Sequence, residues 1–314
     1  MESRNSIQDL WGPRTPFRGR DQWPERVDCR ITTEPDRWVQ SACVLCSNGC
    51  ALDIAVKGGR IVGVRGRAVD AVNKGRLGPK GLHGWEANNS TDRLLHPLLR
   101  TRGRLRRATW NEAMDLVVER TKQLRECYSA SAIGFYTTGQ LFLEEYYTLG
   151  LITKAGLGTP HADGNTRLCT ATAAAALKET FGADGQPASY FDIDETECIL
   201  HVGHNTASTD TVLWMRVLDR RRGPNPPKLI VIDPRATATA KEADIHVAPR
   251  VGTNVALLNG ILHLLIRDGR IDRDFLAKHT VGFDELVNVV GEYSPERVAG
   301  ISGVPQAQIE TVAR

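Results

Sequence analysis

Along this chain the apolar positions change period several times, and each change marks an element. Leu52, Ile54 and Val56 alternate with polar or small residues, Lys57-Gly58-Gly59 turns the chain, and Ile61, Val62 and Val64 bring it back. That alternation predicts a β-hairpin. Residues 87–106 show no period and are rich in arginine, so they read as a basic loop. Thr109-Trp110-Asn111-Glu112 has the T-x-x-E spacing of a capping box, ahead of Met114, Leu116, Val117 and Val118. It predicts a helix running towards Cys127. Residues 133–136 read as a short strand that Gly139-Gln140 breaks, and a helical stretch follows over 141–155. Residues 156–167 form a glycine-bearing loop, and an alanine-rich helix is expected from Cys169 to Thr180.

The second half alternates more plainly. Ile199-Leu200-His201-Val202 predicts a strand that runs into Gly203-His204-Asn205, with a helix over 211–221 behind it. Leu229-Ile230-Val231-Ile232 is an unbroken apolar run ending at Asp233-Pro234-Arg235, the pattern of a strand buried on both faces. Residues 245–248 form a further strand, ending near Gly252-Thr253-Asn254, and a helix covers 256–266. Strands alternating with helices imply an α/β fold, with a parallel sheet and helices on both faces. Ligands bind such sheets beyond the carboxyl ends of the strands, which makes the three polar turns candidate ligand loops. Taken singly, each is also an ordinary turn of such a fold. No G-x-G-x-x-G or Walker loop accompanies them, which weighs against simple nicotinamide or ATP enzymes.

Composition narrows this only a little. With 314 residues the chain has room for one small and one large domain, and 41% hydrophobic with 25% charged residues is ordinary globular composition. A net charge of +3 is too small to argue for nucleic acid, and no apolar stretch is long enough for a membrane span. The arginine clusters at 100–107 and 220–222 read as solvated faces. The first thirty residues show neither an apolar signal core nor a twin-arginine pair, so the expected location is cytoplasmic. Met1 to Arg37, rich in Pro, Arg and Trp, reads as an extended arm, and the uncapped helical pattern at 305–314 reads as a cut chain.

Cysteine changes the picture. Three of the seven cysteines stand in Cys43-Val44-Leu45-Cys46-Ser47-Asn48-Gly49-Cys50. Thiolates so closely spaced suit a soft metal or an iron–sulfur cluster, whereas Ser, Asn and Gly between them make poor core. Without a secretory signal, disulfides are the weaker reading. Further on, Asp163-Gly164-Asn165-Thr166-Arg167-Leu168-Cys169 leads a second thiol into a helix start, where unpaired N–H groups stabilise a thiolate. From the residues alone, a packed free cysteine is the stronger reading of Cys169, since buried free cysteines are common. Cys198 reads as a strand residue, Cys127 as a helix-end residue, and Cys29 has no such context.

The C-x2-C-x3-C spacing closed by Gly78-Pro79-Lys80-Gly81 resembles the amino-terminal cluster domain of the molybdopterin oxidoreductases. The resemblance implies a small iron–sulfur domain over 38–98 and doubly wound α/β molybdopterin-binding domains over 99–314, incomplete at the carboxyl end. It makes Cys43, Cys46 and Cys50 iron ligands, with Lys80 between cluster and pterin. The family's fourth ligand would fall at Gly78, which leaves a 3Fe-4S cluster, a 4Fe-4S cluster with water, Cys29 or His83 as substitute ligand, or no cluster; a three-iron cluster is expected in air-purified protein. N-x-R-x-C resembles the molybdenum-ligand segment of the nitrate reductase branch, and implies Cys169 as the metal thiolate and Arg167 as an anion-favouring group. Formate dehydrogenases of the family usually place a histidine after that ligand, where this chain has Thr170. The same resemblance assigns Gln140 and Asn165 to the pterin. It assigns Gly203, His204, Asn205 and Thr209, then Asp233, Arg235 and Thr237, then Gly252, Thr253 and Asn254, to a guanine dinucleotide. The cofactors implied are molybdenum bis(molybdopterin guanine dinucleotide) and the cluster, and the partners a nitrate-like oxyanion and an electron-donor protein or reductase subunit. The expected reaction is reduction of nitrate to nitrite, with the chain inactive on its own. The rivals are a formate dehydrogenase or other family oxidoreductase, a non-catalytic metal-binding module and an inert fragment.

Overall fold

The computed structural model describes residues 14, 15, 17–20 and 22–314, so the first thirteen residues of the expected arm, with 16 and 21, lie outside the described residues. The chain divides into two compact units, one containing Glu25–Tyr190 and the other Pro13–Pro24 with Phe191–Arg314.

The first unit opens with a four-stranded antiparallel sheet in the order β1-β4-β3-β2. Its strands are β1 (Cys29–Ile31), β2 (Arg37–Ala42), β3 (Ala51–Lys57) and β4 (Arg60–Gly66). The hairpin read from the alternation is β3–β4, turned by Gly58 and Gly59 at φ 54° and 77°. Left-handed backbone at both central positions matches the strand twist, and glycine adopts it freely. β2 pairs with β3 from Arg37↔Val56 to Ala42↔Ala51, so residues 43–50 close a second hairpin. β1 comes from the segment read as an arm; from Cys29 that segment is sheet, paired with β4.

Three readings need correction here. The basic stretch is not all loop: β5 (Leu98–Thr101) and β6 (Arg104–Arg107) pair across Arg102 and Gly103, at φ 50° and 80°. Arginine at alternate positions hid the period. A short helix, α1 (Pro79–His83), was also missed, because five residues carry no period. The expected helix over 141–155 is α3 (Leu143–Gly150), which widens into a π-helical stretch from Leu151 to Leu157. Before it, α2 (Trp110–Tyr128) starts on the predicted capping box, Thr109 Oγ1 accepting from the Glu112 N–H and Glu112 Oε2 from the Thr109 N–H. None of its 19 residues is buried, and Trp110 is 70% exposed. β7 (Phe135–Thr137) and β8 (Ala162–Gly164) form a parallel pair. The alanine-rich helix is split, as α4 (Thr166–Cys169) and α5 (Ala171–Phe181).

After α6 (Tyr190–Glu195), the second unit is built on the expected parallel sheet. Its strands β9 (Cys198–Val202), β10 (Lys228–Ile232) and β11 (Ile245–Val247) lie in the order β11-β10-β9. Between them run α7 (Thr206–Thr209), α8 (Thr211–Arg221) and α9 (Ala238–Lys241). α10 (Asn254–Arg267) is followed by four short helices, α11 (Arg273–His279), α12 (Phe283–Gly291), α13 (Pro295–Ser302) and α14 (Gln306–Ala313). Ile232 and Val247 form one core with Leu257, Ile261 and Leu264 of α10, Val298 of α13 and Ile309 of α14. Leu229 and Val231 alternate to the opposite face and are buried as well, so β10 is covered on both sides.

α8 buries charge as well as apolar surface. Arg216 of α8 donates from Nε and Nη2 to the two Asp194 carboxylate oxygens at 2.8 and 2.6 Å, with both side chains all but closed to solvent. The guanidinium also lies over the Trp23 and Phe191 rings. Stranding one charge of such a pair costs about 3–5 kcal/mol, whereas replacing both by apolar groups of similar size is often neutral. Asp194→Ala is therefore expected to lower unfolding stability by about that amount, and Asp194→Leu with Arg216→Met to recover most of it. Urea unfolding checks this, and a loss under about 1 kcal/mol for the single variant would contradict it.

Candidate metal centre and cofactor loops

The cysteine loop is held at both ends by the sheet. Cys43 follows β2 and Cys50 precedes β3, and the Cys43 N–H donates to the Cys50 carbonyl at 2.9 Å. Inside the loop, Ser47 and Gly49 take left-handed φ of 54° and 80°, which turns the eight residues back from β2 to β3. Buried Asn73 latches the loop from below, donating to the carbonyls of Ala51 at 3.0 Å and Arg76 at 2.7 Å. Asp28 fixes the next turn by accepting the Leu77 N–H at 2.9 Å. Gly66 and Gly75 touch there: a Cβ on Gly66 would lie 2.0 Å from the Gly75 carbonyl oxygen. These contacts deliver Gly78 and α1, with Lys80 in its first turn, beside the cysteines. A Cβ on Gly81 would sit 3.8 Å from Cys43 Sγ.

The thiols sense one another. Burial, opposed by the Asn48 amide and reinforced by Cys43, Cys46 and Asp70, pushes the Cys50 thiol up to about 12. Burial also raises Cys43, while the Leu45 N–H and the Lys80 ammonium favour its thiolate. Without a cation three thiolates here would be costly; iron at each sulfur removes that cost, so the donor chemistry fits a cluster at three corners. Among the described residues no three His, Cys, Asp or Glu side chains converge on one point as ligands of a single ion do. Cluster thiolates bind separate irons and need no such convergence. Cys29 is also raised by burial, but the charges it senses are Arg65 and Glu34 rather than the loop thiols.

The second set of predicted residues lies at the carboxyl ends of β7 and β8, in the same unit. Gln140 Nε2 donates to the Leu45 carbonyl at 2.9 Å, which ties this end to the cysteine loop. Asn165 Oδ1 accepts the Gly139 N–H at 3.0 Å, and a pocket lined by Thr137, Gly139, Asp163, Gly164 and Thr166 lies between the strand ends. Arg167 Nε donates to Asp163 Oδ2 at 2.9 Å, an ion pair that holds the carboxyl below its usual range. Cys169 is exposed at the end of α4, one residue before the Thr170 N-cap of α5. It therefore precedes the alanine-rich helix rather than opening it.

The remaining predicted residues belong to the second unit, at the carboxyl ends of β9, β10 and β11. Gly203 takes φ 64° and donates its N–H to the Ile232 carbonyl at 2.8 Å. His204 Nε2 is 2.8 Å from Asp210 Oδ2 and 3.1 Å from Thr209 Oγ1. Asn205 Oδ1 accepts from Thr239 Oγ1 at 3.0 Å, and the same hydroxyl accepts the Ala207 N–H at 3.0 Å. Asp233 is buried and accepts the Arg235 N–H at Oδ1, while Thr237 caps α9 through the Ala240 N–H. Thr253 at the N-cap of α10 donates its hydroxyl to the Arg250 carbonyl instead of capping, so the first N–H groups of that 14-residue helix stay open to a ligand.

Reasoning from sequence missed Asn73, Asp28, His201, Asp210 and Thr239. Only the Asp70-to-Asn73 turn carried a local signal, Asp70 Oδ2 accepting the N–H groups of Val72 and Asn73.

Two family models match the chain, "Molybdopterin oxidoreductase" over residues 93–292 and "Molybdopterin oxidoreductase Fe4S4 domain" over residues 36–90. The chain belongs to the molybdopterin oxidoreductase family. A nitrate reductase of Symbiobacterium thermophilum is 35% identical over 291 residues, 90% of this chain and 39% of that protein. The alpha subunit of an F420-dependent formate dehydrogenase 2 of Methanococcus maripaludis is 34% identical over 276 residues, 88% of this chain and 40% of that protein. Among solved structures, acetylene hydratase from Pelobacter acetylenicus matches with a TM-score of 0.74 at 27% identity, covering 87% of this chain and 38% of that one. The molybdopterin oxidoreductase chain thus spans about two-fifths of the length of these relatives. Among its described residues no helix is long and apolar enough to cross a membrane.

One titration is readable at the strand ends. His201 receives or gives a 2.8 Å hydrogen bond with Thr206 Oγ1 at Nδ1 and stands edge-on to Trp214. Burial first, then neighbouring His204, lower its pKa from 6.5 to about 4. The unfolded chain binds this proton more readily, so the stability held above pH 6.5 is lost as pH falls towards 4. His201→Gln is expected to flatten the fall in melting temperature across that window, and an unchanged slope would contradict it.

Proposed function

We propose that this chain holds the metal and cofactor contacts of a molybdenum-dependent enzyme that reduces nitrate to nitrite. The observation that carries the choice of substrate is the junction Cys169-Thr170, with threonine where formate dehydrogenases of the family usually place histidine. Identity does not make that choice, since a nitrate reductase and a formate dehydrogenase subunit stand at 35% and 34%. That near-tie is why formate oxidation is kept as the second reading.

When bound, a molybdenum pterin supplies two-electron oxygen-atom exchange, and an iron–sulfur cluster supplies an electron relay. The chain's own part is ligation, orientation and electrostatics. Cys43, Cys46 and Cys50 would hold the cluster, and the Lys80 ammonium that Cys43 senses would favour negative charge there. Cys169, exposed at the end of α4, would give its thiolate to molybdenum, and Gln140 and Asn165 would contact the pterin. Arg167 is exposed beside Asp163, so an incoming oxyanion would compete with that carboxylate for the guanidinium.

The strand-end loops of the second unit would hold the guanine dinucleotide. Asp233 keeps one carboxylate oxygen for ribose hydroxyls or guanine N–H groups, and its other oxygen is engaged by the Arg235 N–H. The open N-terminus of α10, at Gly252, Thr253 and Asn254, suits a phosphate. Gly203, His204, Asn205 and Thr209 would line the nucleotide, with Arg235 and Thr237 beside it. Electrons would come from a donor protein or reductase subunit.

Turnover of the full-length protein decides between the readings, with reduced viologen as donor for nitrate and oxidised viologen as acceptor for formate. Nitrite is expected from nitrate, and formate-dependent dye reduction without nitrite formation would install the second reading instead. Cys169→Ala in the full-length protein is expected to abolish turnover while iron content stays near normal, because this thiol lies outside the cysteine loop. Unchanged turnover in that variant would refute the assignment.

A further inference from the structure

The Fe4S4 match spans residues 36–90, and within that span cysteine stands only at 43, 46 and 50. A four-iron cubane bound by cysteine takes four thiolates, one for each iron. One corner is short of a ligand, and the structure locates it. α1 lies against the cysteine loop: a Cβ on Gly81 would be 3.8 Å from Cys43 Sγ, and one on Gly84, its C-cap, would be 2.9 Å from Leu45 Cδ1. Gly78 is the N-cap of α1, its carbonyl accepting the Leu82 N–H at 3.0 Å. Its backbone, at φ −77° and ψ 175°, is extended and open to any residue, so conformation does not demand glycine there.

Nearby donors are committed elsewhere. His83 Nδ1 lies 3.2 Å from Glu86 Oε1, an oxygen that Arg30 also binds at 2.9 Å. Asp70 Oδ2 accepts two backbone N–H groups at 3.0 Å. Cys29 is 1% exposed within β1, in register with Arg65 of β4.

Resting on the reading of Cys43, Cys46 and Cys50 as cluster ligands, we propose that Gly78 leaves the fourth iron without a protein ligand. That iron carries an exchangeable small ligand such as water, and mild oxidation releases it. The step balances as follows in chemistry: a cluster of two ferric and two ferrous irons gives one electron to an oxidant such as ferricyanide. One iron leaves as aqueous Fe(II), and three ferric irons with four sulfides stay on the three cysteines.

The test uses the whole chain purified without air, as the natural sequence, Gly78→Cys and Gly78→Ala. Iron and labile sulfide are counted before and after one equivalent of ferricyanide, and electron paramagnetic resonance follows the cluster type. The natural sequence and Gly78→Ala are expected to lose one iron in four and to show the signal of a three-iron cluster. Gly78→Cys is expected to keep all its iron. Full retention of iron by the natural sequence would overturn this proposal alone, as would equal retention by Gly78→Ala and Gly78→Cys. Protein with zinc in place of iron, or without labile sulfide in every variant, would overturn the cluster reading along with it.

Discussion

Three thiols confined to one eight-residue hairpin loop set the terms for the first unit. Sulfur anions packed this closely and partly buried repel one another, and burial alone already pushes Cys50 well above an ordinary thiol. As a ligand set the loop would need positive charge, from metal at the sulfurs and from the Lys80 ammonium that Cys43 senses. Much of the surrounding architecture serves to keep that geometry fixed. The β2–β3 pairing closes the loop, Asn73 joins it to the 75–77 turn, and Asp28 pins that turn. The contact of Gly66 with Gly75 lets α1 approach the sulfurs at all. A site so held presents its donors with little reorganisation, which suits electron transfer better than a mobile loop would.

The second unit solves a different problem with the same economy of elements. Its parallel sheet places three polar turns at the carboxyl ends of its strands; the Thr239–Asn205 bond joins the segments after β9 and β10, and the Thr209–Asp210 bond is local to the first. Buried charge is tolerated behind it because it is paired: Arg216 with Asp194, and Asp219 with the Trp23 indole N–H. α2 and α5, by contrast, bury none of their residues, although Trp110, Met114 and Phe181 are large and apolar.

What the sequence disclosed follows from how local each signal is. The β3–β4 hairpin, the capping box of α2 and the strand ends at 203, 233 and 252 were legible because period, turn residues and caps act within a few positions. The pairing of β1 with β4 was not, since nothing in Cys29-Arg30-Ile31 says that it meets Gly63-Val64-Arg65. Neither was Asn73, whose two carbonyl partners are 22 and 3 positions away. The β5–β6 hairpin was hidden because arginine on both strands erased the contrast that alternation needs. The three iron-ligand candidates were found by spacing alone, whereas Cys169 was distinguished from an ordinary cysteine only by resemblance. Cys169 is exposed at the end of α4.

The central claim is that one chain carries both a cluster loop and a molybdopterin site. Elemental analysis for iron, molybdenum and zinc on one purified sample, with labile sulfide and oxidative extraction of pterin, tests it most directly. The account predicts iron with sulfide and molybdenum with pterin in the same protein. Zinc without iron, and no extractable pterin, would contradict it.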